Sequence, residues 1–203
     1  MNIVICKLSP DLANDFFSFF DNRAFTDNSP EGPCYCTRYQ MTKEQEKAEL
    51  FDKVKTRPYK REEFIPILRQ IAEYQIKSGA MQGYLAFVDG VSIGWCNVND
   101  KANFPTEAAN GAHFYATAKK KEKVVVCFQV APDFRGKGVA TALLQQVIID
   151  AKTEGYAAIE SYPKKRNERY EWDFLGPVRL YEKAGFIKVD EQDKTIIMRK
   201  LLN

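Results

Sequence analysis

The feature that most constrains this chain is an apolar run followed by a basic, glycine-spaced loop and then by a helical pattern. The run Val124–Val130 is almost continuously apolar, which is typical of a strand buried on both faces. Val139–Thr153 places apolar residues at helical spacing, and Gly155 marks the end of the predicted helix. A strand, a loop and a helix in this order begin a crossover unit of an α/β fold.

The loop Arg135-Gly136-Lys137-Gly138-Val139-Ala140 has the composition of an anion site. Backbone N–H groups at a helix N-terminus carry partial positive charge and lack partners within the helix. Arg135 and Lys137 add full charges, while Gly136 and Gly138 have no Cβ atoms to keep an anion away from the backbone. The segment therefore predicts a cradle for a diphosphate.

Two common diphosphate loops do not fit this sequence. The Walker pattern G-x-x-x-x-G-K-[ST] is absent. The dinucleotide pattern G-x-G-x-x-G needs a third glycine where Thr141 stands, and Ala131–Arg135 make the turn after the strand too long. Glu160 lies about where a ribose-binding acid would follow, and we treat that position as a coincidence.

The loop does resemble a signature of the GCN5-related N-acetyltransferases, the GNAT superfamily. Arg135–Ala140 fits R/Q-x-x-G-x-G/A, and Val130-Ala131-Pro132-Asp133-Phe134 is similar to the V-x-P-x-x-R lead-in. Leu180-Tyr181-Glu182-Lys183-Ala184-Gly185-Phe186 is similar to the family's Y-E-K-x-G-F ending. The motifs cover about Lys123–Leu201, whereas the first hundred residues match in layout only.

The resemblance implies one GNAT-like α/β domain over residues 1–203. Its sheet is expected to be mixed, mostly antiparallel, flanked by helices, and splayed between strands 4 and 5, here Val124–Val130 and Ala157–Tyr162. Residues 123–203 would form the acetyl-CoA-binding core. Residues 1–122 would supply the first strand, helices, a hairpin and the loops on the acceptor side.

The residues themselves predict several further elements. Thr42 and Gln45 resemble a capping box that opens a charged helix reaching about Lys55. Apolar spacing predicts a helix over Arg61–Lys77, and the Asp-Gly turn within Tyr84–Val98 predicts a hairpin. The polar segment Asn99–Lys123 is expected to be a long loop.

The same resemblance implies acetyl-CoA as co-substrate and assigns residues to it. The strand residues would pair with the pantetheine arm, the loop residues would bind the diphosphate, and an asparagine in the charged 163–176 stretch is a further candidate for the arm. These cofactor-binding residues are Phe128, Gln129, Val130, Arg135, Gly136, Lys137, Gly138, Val139, Ala140 and Asn167.

Two side chains are candidates for catalysis by proton transfer. The resemblance makes Tyr181 the general acid for the leaving thiolate, and the alternative is a tyrosine that only packs or bonds the cofactor sulfur. Glu160 is the best-placed carboxylate for a general base, and the alternatives are a salt bridge or a water relay. The strand Val124–Val130 carries no acid, unlike relatives with a glutamate there.

The five cysteines allow other hypotheses. If Cys127 carried the acyl group, it would need a base to activate its thiol. The single histidine, His113, lies in the long loop, and nothing in the sequence brings it to Cys127. We therefore favour the interpretation of Cys127 as a small residue of the core. Cys34-x-Cys36, even with Cys96, falls short of zinc-site spacing, and we expect no metal. These three cysteines, with Tyr35, Tyr39 and Trp95, are instead candidates for lining an acceptor pocket.

The main functional hypothesis is N-acetylation of a small primary amine by direct attack in a ternary complex. The alternatives are a non-catalytic acyl-CoA-binding module and, less favoured, a Rossmann-type oxidoreductase. A net charge of +3 suits an anionic cofactor but does not indicate nucleic-acid binding. The lysines of 119–123 are candidates for binding the 3′-phosphate of the cofactor, and the alternative is that they form a solvated loop tip.

Sequence also bears on location and assembly. No apolar run reaches the length of a membrane span, and the N-terminus lacks the apolar region of a signal peptide. We therefore expect a cytoplasmic protein with no membrane partner. A homodimer is the default expectation for a small protein of this class.

Overall fold

A computed structural model describes residues 1–30, 32–108, 114, 121–166, 170, 172–192 and 194–202 of the chain. The α-helices are α1 (Ala13–Asn22), α2 (Lys43–Glu49), α3 (Arg61–Lys77), α4 (Val139–Thr153) and α5 (Val178–Lys183). The strands are β1 (Val4–Lys7), β2 (Gly83–Val88), β3 (Val91–Asp100), β4 (Glu122–Val130), β5 (Ala158–Ser161), β6 (Ile187–Glu191) and β7 (Ile196–Leu201).

The strands form one sheet in the order β1-β2-β3-β4-β5-β7-β6. All neighbours are antiparallel except β4 and β5, which α4 joins by a crossover. β4 pairs with β5 only over Glu122–Val125, opposite Ala158–Ser161, and the rest of β4 runs on without β5 beside it. The predicted mixed, mostly antiparallel sheet, splayed between strands 4 and 5, is confirmed.

Local sequence signals explain where the helices begin and end. Thr42 Oγ1 accepts a hydrogen bond from the Gln45 N–H, and Gln45 Oε1 accepts one from the Thr42 N–H, which completes the predicted capping box. The predicted extension of this helix to Lys55 is wrong, because α2 ends at Glu49 and Leu50 turns into the core. The helix over Arg61–Lys77 is confirmed at both ends.

The expected long loop after the hairpin is also shorter than predicted. β3 continues to Asp100, a 3-10 helix follows over Lys101–Asn103, and β4 begins at Glu122. Asn99 belongs to β3 and is fully buried, and the bond that its amide donates to the Ala80 carbonyl at 3.1 Å satisfies this polar side chain in the interior. His113, Lys119 and Lys120 lie outside the described residues.

Two apolar clusters cover the two faces of the sheet. On one face, aromatic side chains of α1 pack against Trp95, including Phe16 at a ring-centroid distance of 5.1 Å. On the other face, Leu143 and Leu144 of α4 pack with Tyr181. β4 contributes to both clusters, which explains its continuous apolar run. Within the described chain, no helix combines the length and the apolarity that crossing a bilayer requires.

Candidate active site

A cavity of about 490 Å³ opens where β4 leaves β5. Its walls are the end of β4, the loop before α4, the first turn of α4, the 172–176 segment and α5. The lining residues are Ser29, Phe128, Gln129, Val130, Phe134, Arg135, Gly136, Gly138, Val139, Ala140, Thr141, Trp172, Asp173, Phe174, Gly176, Pro177, Arg179, Leu180 and Lys183. Most of the predicted cofactor residues therefore share one cleft.

The glycines of the loop shape the cleft at the N-terminus of α4. Gly136 and Gly138 have φ angles of +73° and +86°, which L-residues with a Cβ rarely adopt. A Cβ built on either glycine meets no atom within 4 Å, so the space beside the backbone is open to a ligand. The first N–H groups of α4 have no partner within the helix and line this space together with Val139 and Ala140.

Arg135 is held at the edge of the cleft by two hydrogen bonds. Its Nη1 donates to Asp27 Oδ2 at 2.6 Å, and its Nε donates to the Val130 carbonyl at 3.2 Å. Burial raises the pKa of Asp27, but hydrogen bonds from Arg135 and Trp172 outweigh burial and keep this pKa below its ordinary value. Lys137 is not part of the cavity wall, and its Nζ lies 5.3 Å from the centroid of the Phe134 ring.

Several residues that line the cleft were not predicted from the sequence. Arg179 and Lys183 bring two cations from α5 to the wall opposite the loop. Their i, i+4 spacing puts them on one face of the helix, which is the signal that could have found them. Asn167 lies outside the described residues, so its assignment to the pantetheine arm stays a prediction.

The 172–176 segment lies beside the unpaired end of β4. The N–H of Phe128, one of the strand residues expected to pair with the pantetheine arm, donates to the Phe174 carbonyl at 2.6 Å. Gln129 Nε2 donates to the Ala24 carbonyl at 2.6 Å. The Phe128 N–H on the edge of β4 that was expected to pair with the cofactor is therefore bonded to the chain itself in this conformation.

Tyr181 lies just behind the cavity wall and is fully buried. Its hydroxyl donates to the Leu175 carbonyl at 2.7 Å. Burial raises the pKa of Tyr181 well above its ordinary value, so the hydroxyl keeps its proton throughout the neutral range. A protonated, buried hydroxyl is the state that a general acid needs, and its role stays a prediction.

Glu160 lines neither the cleft nor the second cavity described below. Its carboxylate accepts hydrogen bonds from Lys101 Nζ at 2.7 Å and from the Tyr162 hydroxyl at 2.8 Å, and it pairs with Arg199. Burial raises the pKa of Glu160, but the bonds from Lys101 and Tyr162 outweigh it and hold the pKa below its ordinary value. A carboxylate in this state is a weak base, and the geometry favours the salt-bridge alternative.

We expect Glu160→Gln to destabilise the fold without lowering turnover by the folded enzyme. Removing one charge from a buried ion pair costs about 3 kcal/mol, because its partners stay buried. For a chain of this size that loss lowers Tm by about 6–12 °C. Calorimetric melting measures it, with exposed Glu49→Gln as the control variant. An unchanged Tm with lost turnover would restore Glu160 as the general base.

A second cavity of about 100 Å³ adjoins the cleft. Its lining residues are Phe25, Cys34, Cys36, Thr37, Arg38, Tyr39, Cys127, Gln129 and Phe174. Of the residues expected in an acceptor pocket, Cys34, Cys36 and Tyr39 lie here. Tyr35, Trp95 and Cys96 are buried elsewhere in the core. Gln129 and Phe174 line both cavities.

Cys34 and Cys36 of the second cavity are protonated thiols. Contact with Cys36 and burial raise the pKa of Cys34, while contact with Cys127 and burial raise the pKa of Cys36. Among the described residues, no group of three or more histidine, cysteine, aspartate or glutamate side chains is arranged to hold a metal ion. The arrangement is thus that of a mainly apolar pocket with neutral sulfur atoms.

Solved structures of acetyltransferases share this fold. The PaiA N-acetyltransferase of Thermoplasma acidophilum, in complex with coenzyme A, has a TM-score of 0.53 at 17% identity, over 99% of both chains. The protein yncA of Salmonella typhimurium, with its cofactor acetyl-CoA, has a TM-score of 0.53 at 12% identity, over 99% of this chain and 94% of that one. At such identities the likeness establishes the fold alone.

Sequence comparison adds one short match and one long one. A mycothiol acetyltransferase of Propionibacterium freudenreichii subsp. shermanii is 44% identical over 57 residues, which are 28% of this chain and only 16% of that protein. The sequence model of the Acetyltransferase (GNAT) family matches residues 44–186, a range that contains the loop before α4, Tyr181 and every described cleft-lining residue except Ser29. With most of its length matched and its sheet splayed at β4 and β5, this chain belongs to the GNAT acetyltransferase family.

Proposed function

We propose that this protein is an acetyl-CoA-dependent N-acetyltransferase that acetylates a small primary amine by direct attack in a ternary complex. The observation that carries the proposal is the open cleft at the N-terminus of α4, where Gly136 and Gly138 leave room beside the backbone N–H groups. The coenzyme A and acetyl-CoA bound in two relatives of the same fold support it.

The cleft suits the charge and shape of the cofactor's diphosphate. Backbone N–H groups at the start of α4 would hold it from one side, and Arg135 would add charge at the edge. Arg179 and Lys183 supply further cations from α5. Acetyl-CoA brings the activated thioester, and the chain's part is to bind and orient it.

Acetyl transfer needs the amine as a neutral nucleophile. Its nitrogen attacks the carbonyl carbon, the carbon–sulfur bond breaks, and the amine gives up its proton to water or to a base. The leaving thiolate takes a proton from the hydroxyl of Tyr181, which is protonated at neutral pH. Because the raised pKa makes this hydroxyl a weak acid, the transfer depends on its position at the sulfur, and the phenolate recovers a proton from solvent. Since Glu160 is engaged by Lys101 and Arg199, a water relay is the better candidate for the base.

The second cavity is our candidate for the acceptor pocket. It adjoins the cleft at Gln129 and Phe174, so an amine placed there lies next to the reacting end of the cofactor. Among the described residues that line it, none is a carboxylate, which argues against polyamines, whose further cations need a charge partner. Its volume of about 100 Å³ fits a compact, mainly apolar substituent beside the amine.

Release of free coenzyme A from acetyl-CoA, followed with a thiol reagent across a panel of amines, tests this proposal. We expect release only when a suitable amine is present, with an equal amount of acetylated amine. Heat-inactivated protein and a reaction without amine are the controls.

The competing function is a non-catalytic acyl-CoA-binding module. The paired state of Glu160, the carboxylate predicted to act as general base, favours it. Binding of acetyl-CoA without thiol release by any amine would support this module and contradict the enzyme. Absence of binding would contradict both.

A further inference from the structure

We propose that the 172–176 segment is a gate that stands where the cofactor's pantetheine arm must lie, and that Asp27 latches it shut. The inference concerns regulation of the proposed active site, so it rests on the proposed function. It is drawn from hydrogen bonds of this segment, from the two cavities that it separates and from the ion pair beside it.

The first observation is that the segment satisfies the polar groups at the reacting end of the cleft. The Phe174 carbonyl accepts from the Phe128 N–H at 2.6 Å, and the Leu175 carbonyl accepts from the Tyr181 hydroxyl at 2.7 Å. Buried donors of this kind need a partner in any stable state. A ligand carbonyl or sulfur that reaches them must therefore displace the segment.

The second observation is that the gate separates the two cavities. Phe174 belongs to the walls of both the cleft and the second cavity. If the Phe174 side chain moves away, the two cavities can join beside Gln129, which also lines both. An acceptor in the second cavity can then meet a thioester in the cleft, so opening completes the active site.

The third observation is a latch that joins the gate to the diphosphate loop. Asp27 Oδ2 accepts from Trp172 Nε1 at 2.8 Å and from Arg135 Nη1 at 2.6 Å. The other oxygen, Oδ1, is buried and has no hydrogen-bond partner within the described chain. One carboxylate oxygen thus links the gate to the cation at the edge of the cleft.

Binding of the arm therefore depends on opening of the gate. A diphosphate at the start of α4 competes with Asp27 for the charge of Arg135, but Asp27 keeps its bond to Trp172, so the diphosphate alone leaves the gate closed. The arm of coenzyme A has to displace the segment, so the measured affinity for coenzyme A is reduced by the fraction of open molecules.

Titration calorimetry of the full chain with two ligands tests the gate. Coenzyme A carries the arm, whereas adenosine 3′-phosphate 5′-diphosphate carries the same phosphates without it. Trp172→Phe keeps an aromatic ring but removes the N–H that Asp27 holds. We expect this variant to bind coenzyme A about five-fold more tightly, because the open fraction rises, and to bind the armless ligand as the wild type does.

Asp27→Ala gives a different pattern, and it tests the gate even if the Trp172 variant folds poorly. It removes the acceptor of both Arg135 and Trp172, so both ligands should bind several-fold more tightly. Exposed Tyr74→Phe is the control variant and should change neither affinity. In the wild type, coenzyme A but not the armless ligand should shift the fluorescence of Trp172. This signal is obtained by subtracting the fluorescence of Trp172→Phe from that of the wild type.

Each outcome decides between the proposals. Equal or weaker coenzyme A binding by Trp172→Phe, together with no Trp172 signal in the wild type, would overturn the gate and leave the proposed function intact. Failure of every variant to bind either ligand would overturn the proposed function and the gate with it.

Discussion

Tyr181→Phe is expected to lower kcat by about 10²-fold, which is the contribution typical of a positioned general acid. The substitution removes only the hydroxyl, so the buried ring keeps its packing against Phe186 at a ring-centroid distance of 5.4 Å. Affinity for coenzyme A should be retained or slightly increased, since the bond to the Leu175 carbonyl is one of those that hold the gate closed. Steady-state kinetics with calorimetric binding measures both quantities.

The pH profile provides a second readout for the same residue. Because burial raises the pKa of Tyr181 above its ordinary value, the acid form persists as the pH rises and is lost only beyond that value. The wild type should therefore keep its kcat up to about pH 10, the ordinary pKa of tyrosine. An unchanged kcat in Tyr181→Phe would mean that the hydroxyl only packs and closes the gate.

Gly138→Ala is expected to weaken coenzyme A binding by about 100-fold, a loss of about 2.7 kcal/mol. The new Cβ would occupy the space that the glycine leaves at the start of α4 and would hold the diphosphate away from the N–H groups. The φ angle of +86° adds about 1–2 kcal/mol of backbone strain. Calorimetry gives the affinity, and thermal melting gives the stability.

Gly155→Ala separates these two effects. Gly155 follows the other end of α4 with a φ angle of +74°, and a Cβ built there also meets nothing within 4 Å. It carries similar strain but lies away from the cleft. We expect a similar fall in Tm with unchanged affinity, and an equal loss of affinity in both variants would show that strain alone explains the result.

Local patterns in the sequence predicted much of the fold. The bounds of α3 and α4 follow from apolar spacing and from the residues at their ends, which depend only on near neighbours. The loop before α4 was predicted for the same reason, since the φ angles of Gly136 and Gly138 are local properties. The prediction that α2 reaches Lys55 was wrong, because the helix ends at Glu49 and Leu50 packs into the core.

Contacts between distant parts of the chain could not be predicted in this way. Glu160 meets Lys101 and Arg199 only because β5 lies between β4 and β7, so no local pattern reveals that its charge is already paired. Asp27 likewise meets Trp172 across most of the chain. These long-range pairs depend on sheet order and register, which the sequence predicted only in outline.

Phosphorus NMR of coenzyme A titrated with the protein tests the central claim most directly, because it reports on the diphosphate itself. The account predicts that the wild type and Gly155→Ala shift or broaden the diphosphate resonances in proportion to the protein added, and that Gly138→Ala does so only weakly. Binding by the wild type with unperturbed diphosphate resonances, or the same perturbation in Gly138→Ala, would contradict a diphosphate site at the start of α4.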